Sequence, residues 1–468
     1  MAASPNLRWK TLERRIGLIG PQWSGKTVLL TSLINHLQFH EPQRFRLGKG
    51  KSVVELSQFQ AITTEKEREL GYNLPWFDYA GYRNRLITGK RWPAKTHAAS
   101  QYAFSFSRSD WRFSKGLVRL FDLPGERISD LGMMAHAEVG EAYSHWSRTT
   151  LEYIRGDMHL RPHFHEFLTA LENQQSDIKT IVQSYKHGMV RARYTFHHFL
   201  TPSTLLLDPH GKVVRGLTEE QIVNERHVGI DAEHEFSPLP ENHPHLGAFR
   251  ENFRLYREQL LAPIFQSLKT CHSLVILVDV LSILGHGPAM YNGVRTMIDT
   301  VLQAVNPKQG VLDTAWQNLS EWLLPKELRR SSVRRIAFVV PKVDRVPMDD
   351  RVKLKGLLER LVGHHVRNLR EQGIQVEVMQ IAAMIGATQV AEGQRTMKGC
   401  LLYDPSGKPL EPGVPQTFSP SEVPHDWPHD GWQPGDYVYP DVYPRVSPLA
   451  NVPTEQAGLN DLFQFVCW

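Results

Sequence analysis

The chain of 468 residues has little cysteine and no long apolar segment. Its three cysteines form no CxxC pair, which argues against a disulfide framework and a zinc ribbon. The most apolar stretch, Leu274 to Leu284, contains Asp279 and is too short to cross a bilayer, which takes about twenty residues. The N-terminal residues lack the apolar run of a signal peptide. We therefore expect a cytoplasmic protein with no transmembrane segment, and peripheral contact with a membrane is left open.

A strong charge of one sign is lacking as well. The chain has 54 Lys and Arg residues against 49 Asp and Glu residues, a formal net charge of +5. An excess this small indicates neither nucleic acid nor anionic lipid as a partner. The short basic runs are not interleaved with aromatic residues, as they are on surfaces that bind single strands. We predict no nucleic-acid partner.

Short apolar runs without polar alternation are present, and they indicate buried parallel strands. Helical patterns follow most of them, so the fold class is predicted to be α/β, a mostly parallel sheet with helices on both faces. The run from Tyr102 to Phe106 does alternate, which predicts an edge strand. The predicted parallel strands are Arg15 to Ile19, Leu117 to Phe121, Leu274 to Val278, Ile336 to Val340 and Val376 to Ala382.

The spacing of these strands predicts three regions. Residues 1–129 and 270–400 would form the sheet-containing core. Residues 130–269 contain helical patterns and no strong strand, which predicts a large, mainly helical insertion. Residues 401–468 are rich in Pro and Trp and too aromatic for a flexible linker, so a tail that wraps the body and ends in a helix is expected.

The sharpest motif is the phosphate-binding loop GPQWSGKT, from Gly20 to Thr27. It follows a predicted strand and opens a predicted helix, which is the context that the motif requires. Its backbone N–H groups and the helix N-terminus would bind phosphate, Lys26 would contact the β- and γ-phosphates, and the Thr27 hydroxyl would bind Mg²⁺. The other residues predicted to contact the nucleotide here are Gln22, Trp23, Ser24, Gly25 and Val28.

A P-loop also needs a metal-binding aspartate at the end of a neighbouring strand, and Asp122 in FDLPGE fits that position. The Gly125 N–H would sense the γ-phosphate. Glu126 can orient or deprotonate water, or can form a structural salt bridge, and the sequence leaves both open. Thr96, in the loop before Tyr102, is the candidate switch threonine that would complete the Mg²⁺ shell.

The sequence PKVD after the fourth predicted strand resembles the base-reading element [NT]KxD of GTPases. Asp344 would accept hydrogen bonds from guanine N1 and N2, and the stem of Lys342 would pack on the base. Pro341 stands where GTPases have a side chain that connects this turn to the P-loop or the base. Adenine has no paired donors for Asp344, so guanine is favoured.

Together these motifs resemble the YcjX-like family of bacterial P-loop proteins, which is often described as stress-associated ATPases or GTPases. The resemblance implies a Ras-like core with a helical insertion, a guanine nucleotide, and a role for the backbone at Ala387 beside the base. It covers most of the chain and rests on the stretches Ile16 to Leu37, Arg91 to Thr96, Leu117 to Leu131, Leu274 to Pro288, Pro341 to Asp344 and Ile381 to Thr388.

We therefore predict a switch protein that binds GTP and GDP with Mg²⁺ and hydrolyses GTP. In-line attack of water on the γ-phosphate would be assisted by Lys26 and the P-loop amides. Two alternatives stay open at this point, an ATPase on the same fold and a nucleotide-binding scaffold without turnover. The helical insertion is the predicted contact surface for a protein effector of unknown identity.

Overall fold

The computed structural model describes most of the chain. The described residues are 12–21, 23–39, 46–47, 54–62, 74–93, 99–109, 115–134, 136, 138–173, 175–194, 200–206, 234–305, 333–404, 407–429, 431–445 and 453–467.

An eight-stranded sheet lies at the centre. Its strands are β1 (Leu12–Ile19), β2 (Arg46–Leu47), β3 (Val54–Ala61), β4 (Ser100–Arg108), β5 (Lys115–Asp122), β6 (Ser273–Leu277), β7 (Arg335–Val340) and β8 (Gln375–Gln380). They lie in the order β2-β3-β4-β5-β1-β6-β7-β8, in which β5, β1, β6, β7 and β8 are parallel, whereas β4, β3 and β2 continue the sheet in antiparallel fashion. The predicted α/β fold class is confirmed, and so is each of the five predicted parallel strands.

The prediction of an edge strand at Tyr102 to Phe106 is wrong. These residues lie in β4, which pairs with β5 on one side and with β3 on the other. Strand β3 was missed because it has almost no apolar periodicity: of its eight residues only Leu56 is buried. A mostly polar strand at the side of a sheet is held by its backbone hydrogen bonds, which leave little trace in the sequence.

Helices lie on both faces of the sheet and also form the insertion. They are α1 (Lys26–Gln38), α2 (Tyr79–Ile87), α3 (Gly125–Ser129), α4 (Val139–Gly156), α5 (His165–Glu172), α6 (Ile178–Tyr194), α7 (Leu246–Tyr256), α8 (Ala262–Thr270), α9 (Val280–His286), α10 (Pro288–Val305), α11 (Met348–Glu371) and α12 (Leu459–Cys467). No helix in the described part of the chain is both long enough and apolar enough to cross a membrane.

Successive residues of β1 point to opposite faces of the sheet, and two apolar clusters result. Ile16 and Leu18 pack with the leucines of α1 and with Leu462 and Phe463 of α12. Ile19 packs on the other face with residues of α8, α10 and α11. The alternation places α1 and α12 on one face and α8 to α11 on the other.

The helical insertion has an apolar cluster of its own, whose buried members all lie between residues 133 and 262. Aromatic rings fill its centre: Trp146 lies 5.4 Å from Phe236 and 5.6 Å from Phe253, measured between ring centroids. Aromatic side chains bury large apolar areas, so this cluster stabilises the helices around it.

The Pro- and Trp-rich tail, residues 401–468, lies against the core and is attached to it by two tryptophan side chains. The Trp427 indole donates a hydrogen bond to the carbonyl of Leu357 in α11, and the Trp432 indole donates one to the carbonyl of Leu284 in α9. Both side chains are buried. A small antiparallel sheet connects the tail to the loop after β8, and consists of β9 (Ala387–Gln389), β10 (Met397–Gly399) and β11 (Gln416–Phe418).

Candidate functional site

The predicted site residues follow the carboxyl ends of neighbouring parallel strands, which meet at one edge of the sheet. Register places Leu18 of β1 opposite Asp122 of β5, and Ile19 opposite Ile276 of β6. The P-loop therefore follows β1, Asp122 ends β5, and the PKVD turn follows β7. This edge is where open α/β sheets bind ligands.

The P-loop backbone adopts left-handed conformations at two positions. Gly25 has φ 89° and directly precedes α1, while Trp23 has φ 66° and an indole that is about half exposed. Such a conformation is unusual for tryptophan and concentrates at functional sites. The N-terminus of α1 begins at Lys26, so its first backbone N–H groups face the loop. Val28, in the first turn of this helix, is half-buried.

The first residue of the P-loop, Gly20, lies too close to neighbouring atoms to carry a side chain. A Cβ atom on Gly20 would lie 2.7 Å from the carbonyl oxygen of Leu277 in β6 and 2.7 Å from Oγ of Ser24. No side chain fits in that space. The Ser24 hydroxyl is itself buried, and among the described residues it has no hydrogen-bond partner. A buried hydroxyl without a partner is costly in a folded protein and is consistent with a ligand at this loop.

Lys26 is folded back along the loop. Its ammonium group donates hydrogen bonds to the carbonyls of Gly20 at 2.7 Å and Pro21 at 3.0 Å, and the residue is buried. These bonds hold a positive charge inside the curve of the loop, where a phosphate group would need it.

Thr27 and Asp122 meet across the gap between α1 and β5. The Thr27 hydroxyl lies 3.4 Å from Oδ2 of Asp122, and Asp122 is fully buried. A hydroxyl and a carboxylate are oxygen ligands of the kind that Mg²⁺ prefers. The two residues predicted from separate motifs are thus brought together.

Gly125 lies directly against the P-loop. A Cβ atom built on it would come within 1.8 Å of the Gly20 carbonyl oxygen and 2.9 Å of the Lys26 ammonium nitrogen. Only glycine permits this approach, because the obstacle is backbone rather than a flexible side chain. The loop after β5 and the P-loop therefore form one packed unit.

At the other end of the edge, Asp344 is buried and already hydrogen-bonded. Its Oδ2 accepts bonds from the backbone N–H groups of Gly386 at 2.7 Å and Ala387 at 3.3 Å. The structure thus brings together the carboxylate and the backbone segment that were expected at the base. They lie 43 residues apart in the chain.

Lys342 makes a contact that the sequence did not predict. Its ammonium group donates a hydrogen bond of 2.5 Å to Oδ2 of Asp279, which follows β6 and is the N-cap residue of α9. Asp279 follows the apolar strand of β6 just as Asp122 ends β5, and a polar residue at the carboxyl end of a parallel strand is the signal that could have marked it.

The tail lies against the PKVD end of the edge. Arg345 forms an ion pair with Asp441, and a Cβ atom on Gly386 would come within 2.7 Å of the Val442 side chain. The Val442 carbonyl also accepts a hydrogen bond of 2.7 Å from the Trp92 indole. One short tail segment therefore contacts the PKVD turn, the loop after β8 and the loop before β4.

A buried polar network connects α3 with the insertion. Asp130 accepts hydrogen bonds from the N–H and hydroxyl of Ser203 and from the Tyr256 hydroxyl, and Arg127 donates to the same Tyr256 hydroxyl at 3.2 Å. Burial raises the pKa of Asp130 to about 6, although these hydrogen bonds and the charge of Arg127 oppose the shift.

Part of the predicted site lies outside the described residues. Gln22 and Thr96 belong to this part. Glu126 lies in α3, and its side chain also falls outside the described part of the chain.

The assembled site, with its P-loop, Asp122, PKVD turn and loop after β8, can be compared with known proteins. A family model described as "YcjX-like family, DUF463" matches residues 14–467. The chain belongs to the YcjX-like family.

Two curated relatives extend the comparison. The protein named "Ras-like GTPase YcjX" from Escherichia coli (strain K12) is 24% identical over 456 residues, covering 92% of this chain and 90% of the relative. A protein with the same name from Shewanella oneidensis is 22% identical over 467 residues, covering 92% of this chain and 88% of the relative.

Proposed function

We propose that this protein binds GTP and GDP and hydrolyses GTP at the carboxyl edge of the sheet. The proposal rests on one observation above all. A P-loop, a strand-end aspartate and a carboxylate paired with two backbone N–H groups lie along the same edge, in the order in which a nucleotide would need them. The names of the two relatives support it.

Guanine is the base that this arrangement suits. Asp344 supplies an acceptor, and the N–H groups of Gly386 and Ala387 supply donors within 3.3 Å of it. Guanine offers an acceptor, O6, next to a donor, N1–H, so it can replace the internal pairing with two bonds of its own. Adenine offers the reverse order on that edge. A base that separated these buried groups without pairing with them would leave each unpaired at a cost of about 1–3 kcal/mol, which favours guanine.

At the phosphate end, this chain's own groups can stabilise the charge of the transferred phosphoryl group. Lys26 places an ammonium group inside the loop, and the N-terminus of α1 adds partial positive charge. The Gly125 N–H is the proposed contact to the γ-phosphate, and Glu126 the proposed residue beside the attacking water. Gln22, Trp23, Ser24, Gly25 and Val28 complete the proposed phosphate contacts.

The donor set fits Mg²⁺. Thr27 Oγ1 and Asp122 Oδ2 are oxygen atoms 3.4 Å apart, and Thr96 would add a third oxygen. When bound, the ion would supply positive charge to the phosphate oxygens. Holding it is the proposed role of Thr27, Thr96 and Asp122.

We further propose that residues 1–129 with 270–400, residues 130–269 and residues 401–468 act as three units. The separate apolar cluster of the insertion supports this division. The network from Arg127 through Tyr256 to Asp130 gives the loop at Gly125 a short route into the insertion. The insertion is therefore the proposed surface for an effector that responds to the bound nucleotide.

The test is to identify the nucleotide released from denatured protein and then to measure turnover. GTP and ATP are supplied separately, each with and without Mg²⁺. The expected result is release of GDP or GTP and Mg²⁺-dependent formation of GDP. Hydrolysis of ATP alone would replace the proposal with an ATPase, and tight guanine nucleotide without turnover would replace it with a scaffold.

A further inference from the structure

The topology fixes what lies between the two ends of the proposed nucleotide site. The P-loop follows β1 and the PKVD turn follows β7, while β6 lies between these strands and pairs with both. A nucleotide with its phosphates at the P-loop and its base at Asp344 must therefore pass over the carboxyl end of β6. Strand β6 ends at Leu277, and Asp279 is the second residue after it.

Asp279 and Lys342 form a close pair at this position. The Lys342 backbone has φ 60°, a left-handed conformation, and its side chain runs from the end of β7 to the end of β6, where Nζ lies 2.5 Å from Asp279 Oδ2. The Asp279 side chain is 3% exposed and that of Lys342 is 20% exposed. A lysine held at both ends has few conformations left, so its four-carbon stem has a defined place.

The pair is ionic. Burial alone would raise the pKa of Asp279, but the charge and hydrogen bond of Lys342, the charge of Arg345 and the hydroxyl of Ser282 outweigh it and hold the pKa below its ordinary value. Asp279 also caps α9 by accepting from the Ser282 N–H at 3.2 Å. Its carboxylate therefore has two separable roles, one toward the helix and one toward Lys342.

Because position 341 is a proline, the pair of Asp279 and Lys342 is more important for holding the PKVD turn in place. GTPases carry a side chain at that position which connects the turn to its surroundings, whereas proline has no side-chain donor or acceptor. In this chain Lys342 connects the turn to β6, and Asp344 connects it to the loop after β8.

We infer that Asp279 is a positioning residue for nucleotide recognition: it holds Lys342 so that the lysine stem lies beneath the base and ribose. The inference rests on the proposed function. Asp279 itself need not touch the nucleotide, because its effect passes through Lys342.

The test separates the two roles of Asp279 by chemistry. Asp279→Asn keeps an oxygen that can cap α9, since asparagine is as good an N-cap as aspartate, but removes the charge that holds Lys342. Lys342→Met keeps most of the stem and removes the ammonium group. GDP affinity is measured by calorimetry for the wild type, the two single variants and the double variant, with melting temperatures alongside.

We expect Asp279→Asn to weaken GDP binding by about tenfold, equivalent to about 1.4 kcal/mol. The same substitution made on the Lys342→Met background should cause no further loss, because the pair is already broken. Asp78→Asn is the matched control, because Asp78 is also an N-cap aspartate and caps α2 by accepting from the Gly81 N–H at 2.9 Å. It should leave GDP affinity unchanged.

The inference is overturned if Asp279→Asn binds GDP as the wild type does. It is also overturned if the loss is equally large on the Lys342→Met background, since that indicates a general structural role. Failure of the proposed function looks different, because then the wild-type protein itself shows no binding of guanine nucleotide.

Discussion

The proposed phosphate end and the proposed base end of the candidate site are built in different ways. At the phosphate end, Lys26 contacts carbonyls five and six residues before it, and the glycines allow the close packing. At the base end, Asp344 depends on Gly386 and Ala387, and Lys342 depends on Asp279. The phosphate end is built around one contiguous loop, to which β5 adds Asp122 and the loop after it adds Gly125, whereas the base end is assembled entirely from distant segments.

This difference explains which parts of the site the sequence could predict. A contiguous motif such as GPQWSGKT fixes its own geometry, and Asp122 was found because it ends a strongly apolar strand. Asp279 and Val442 were missed because their roles arise only when β6, β7 and the tail are placed side by side. The fold followed the same rule: apolar strands were predicted correctly, and the polar strand β3 was not.

The difference also predicts how substitutions should act. Removing the Asp344 carboxylate leaves two buried N–H groups without their acceptor, so stability and affinity should both fall. Truncating Lys26 or Thr27 at the phosphate end should change affinity far more than stability. The predictions below test this contrast, beginning with the largest expected effect.

Lys26→Ala should weaken GDP and GTP binding by at least about 30-fold, since truncating one partner of a buried charge contact costs about 2–5 kcal/mol. Calorimetric titration measures the effect. Lys186→Ala is the control, because Lys186 is equally buried but forms an ion pair with Glu235 inside the insertion. It should lower the melting temperature and leave nucleotide affinity intact. Near wild-type GTP affinity in Lys26→Ala would refute the phosphate end as described.

Asp130 should make the joint between the phosphate end and the insertion sensitive to pH. Its pKa is about 6 in the folded protein against 3.8 for the ordinary group, so the folded state binds this proton more tightly than the unfolded state. The stabilisation is present below pH 4 and is lost as the pH rises through 6. The difference in unfolding free energy between the wild type and Asp130→Asn should therefore fall by about 3 kcal/mol across this window.

Denaturant unfolding at several pH values measures that difference. Asp177 is an informative comparison, because hydrogen bonds from Thr180 lower its pKa. The difference in unfolding free energy between the wild type and Asp177→Asn should therefore rise as the pH increases, opposite to that for Asp130→Asn. If Asp130→Asn and wild type show parallel pH profiles, the network does not hold a titrating carboxyl and the coupling route through it loses its support.

Gly125→Ala should disrupt the packing of the loop after β5 on the P-loop, because the added Cβ would overlap the Gly20 carbonyl oxygen. Overpacking of this kind costs about 1–3 kcal/mol and should lower the melting temperature. Nucleotide affinity should fall too, including that for GDP, since Gly20 has to move. Gly132→Ala is the control, because in the described part of the chain no atom beyond its own neighbours and helix backbone lies within 4 Å of its Cβ position. Equal melting temperatures for the two variants would contradict the packed arrangement.

Thr27→Ala should reduce the gain in GDP affinity that Mg²⁺ provides by roughly tenfold, about 1.4 kcal/mol, because one oxygen ligand is removed. Titrations with Mg²⁺ and with EDTA give the gain. Thr31 lies one turn further along α1 and donates to the Thr27 carbonyl at 2.7 Å, so Thr31→Ala is a close control. A gain that is unchanged in Thr27→Ala would show that this hydroxyl does not hold the ion.

The central claim is that Asp344 reads guanine, and exchange of base preference tests it most directly. Wild-type protein and Asp344→Asn are titrated with GDP, ADP and xanthosine diphosphate, whose base carries a carbonyl in place of the 2-amino group of guanine. An asparagine amide can accept from N1–H and donate to that carbonyl, whereas a carboxylate can only accept. We predict that the wild type prefers GDP over both other nucleotides by at least about 100-fold and that Asp344→Asn prefers xanthosine diphosphate. Equal affinities of the wild type for GDP and ADP, with no gain for xanthosine diphosphate in the variant, would contradict the account.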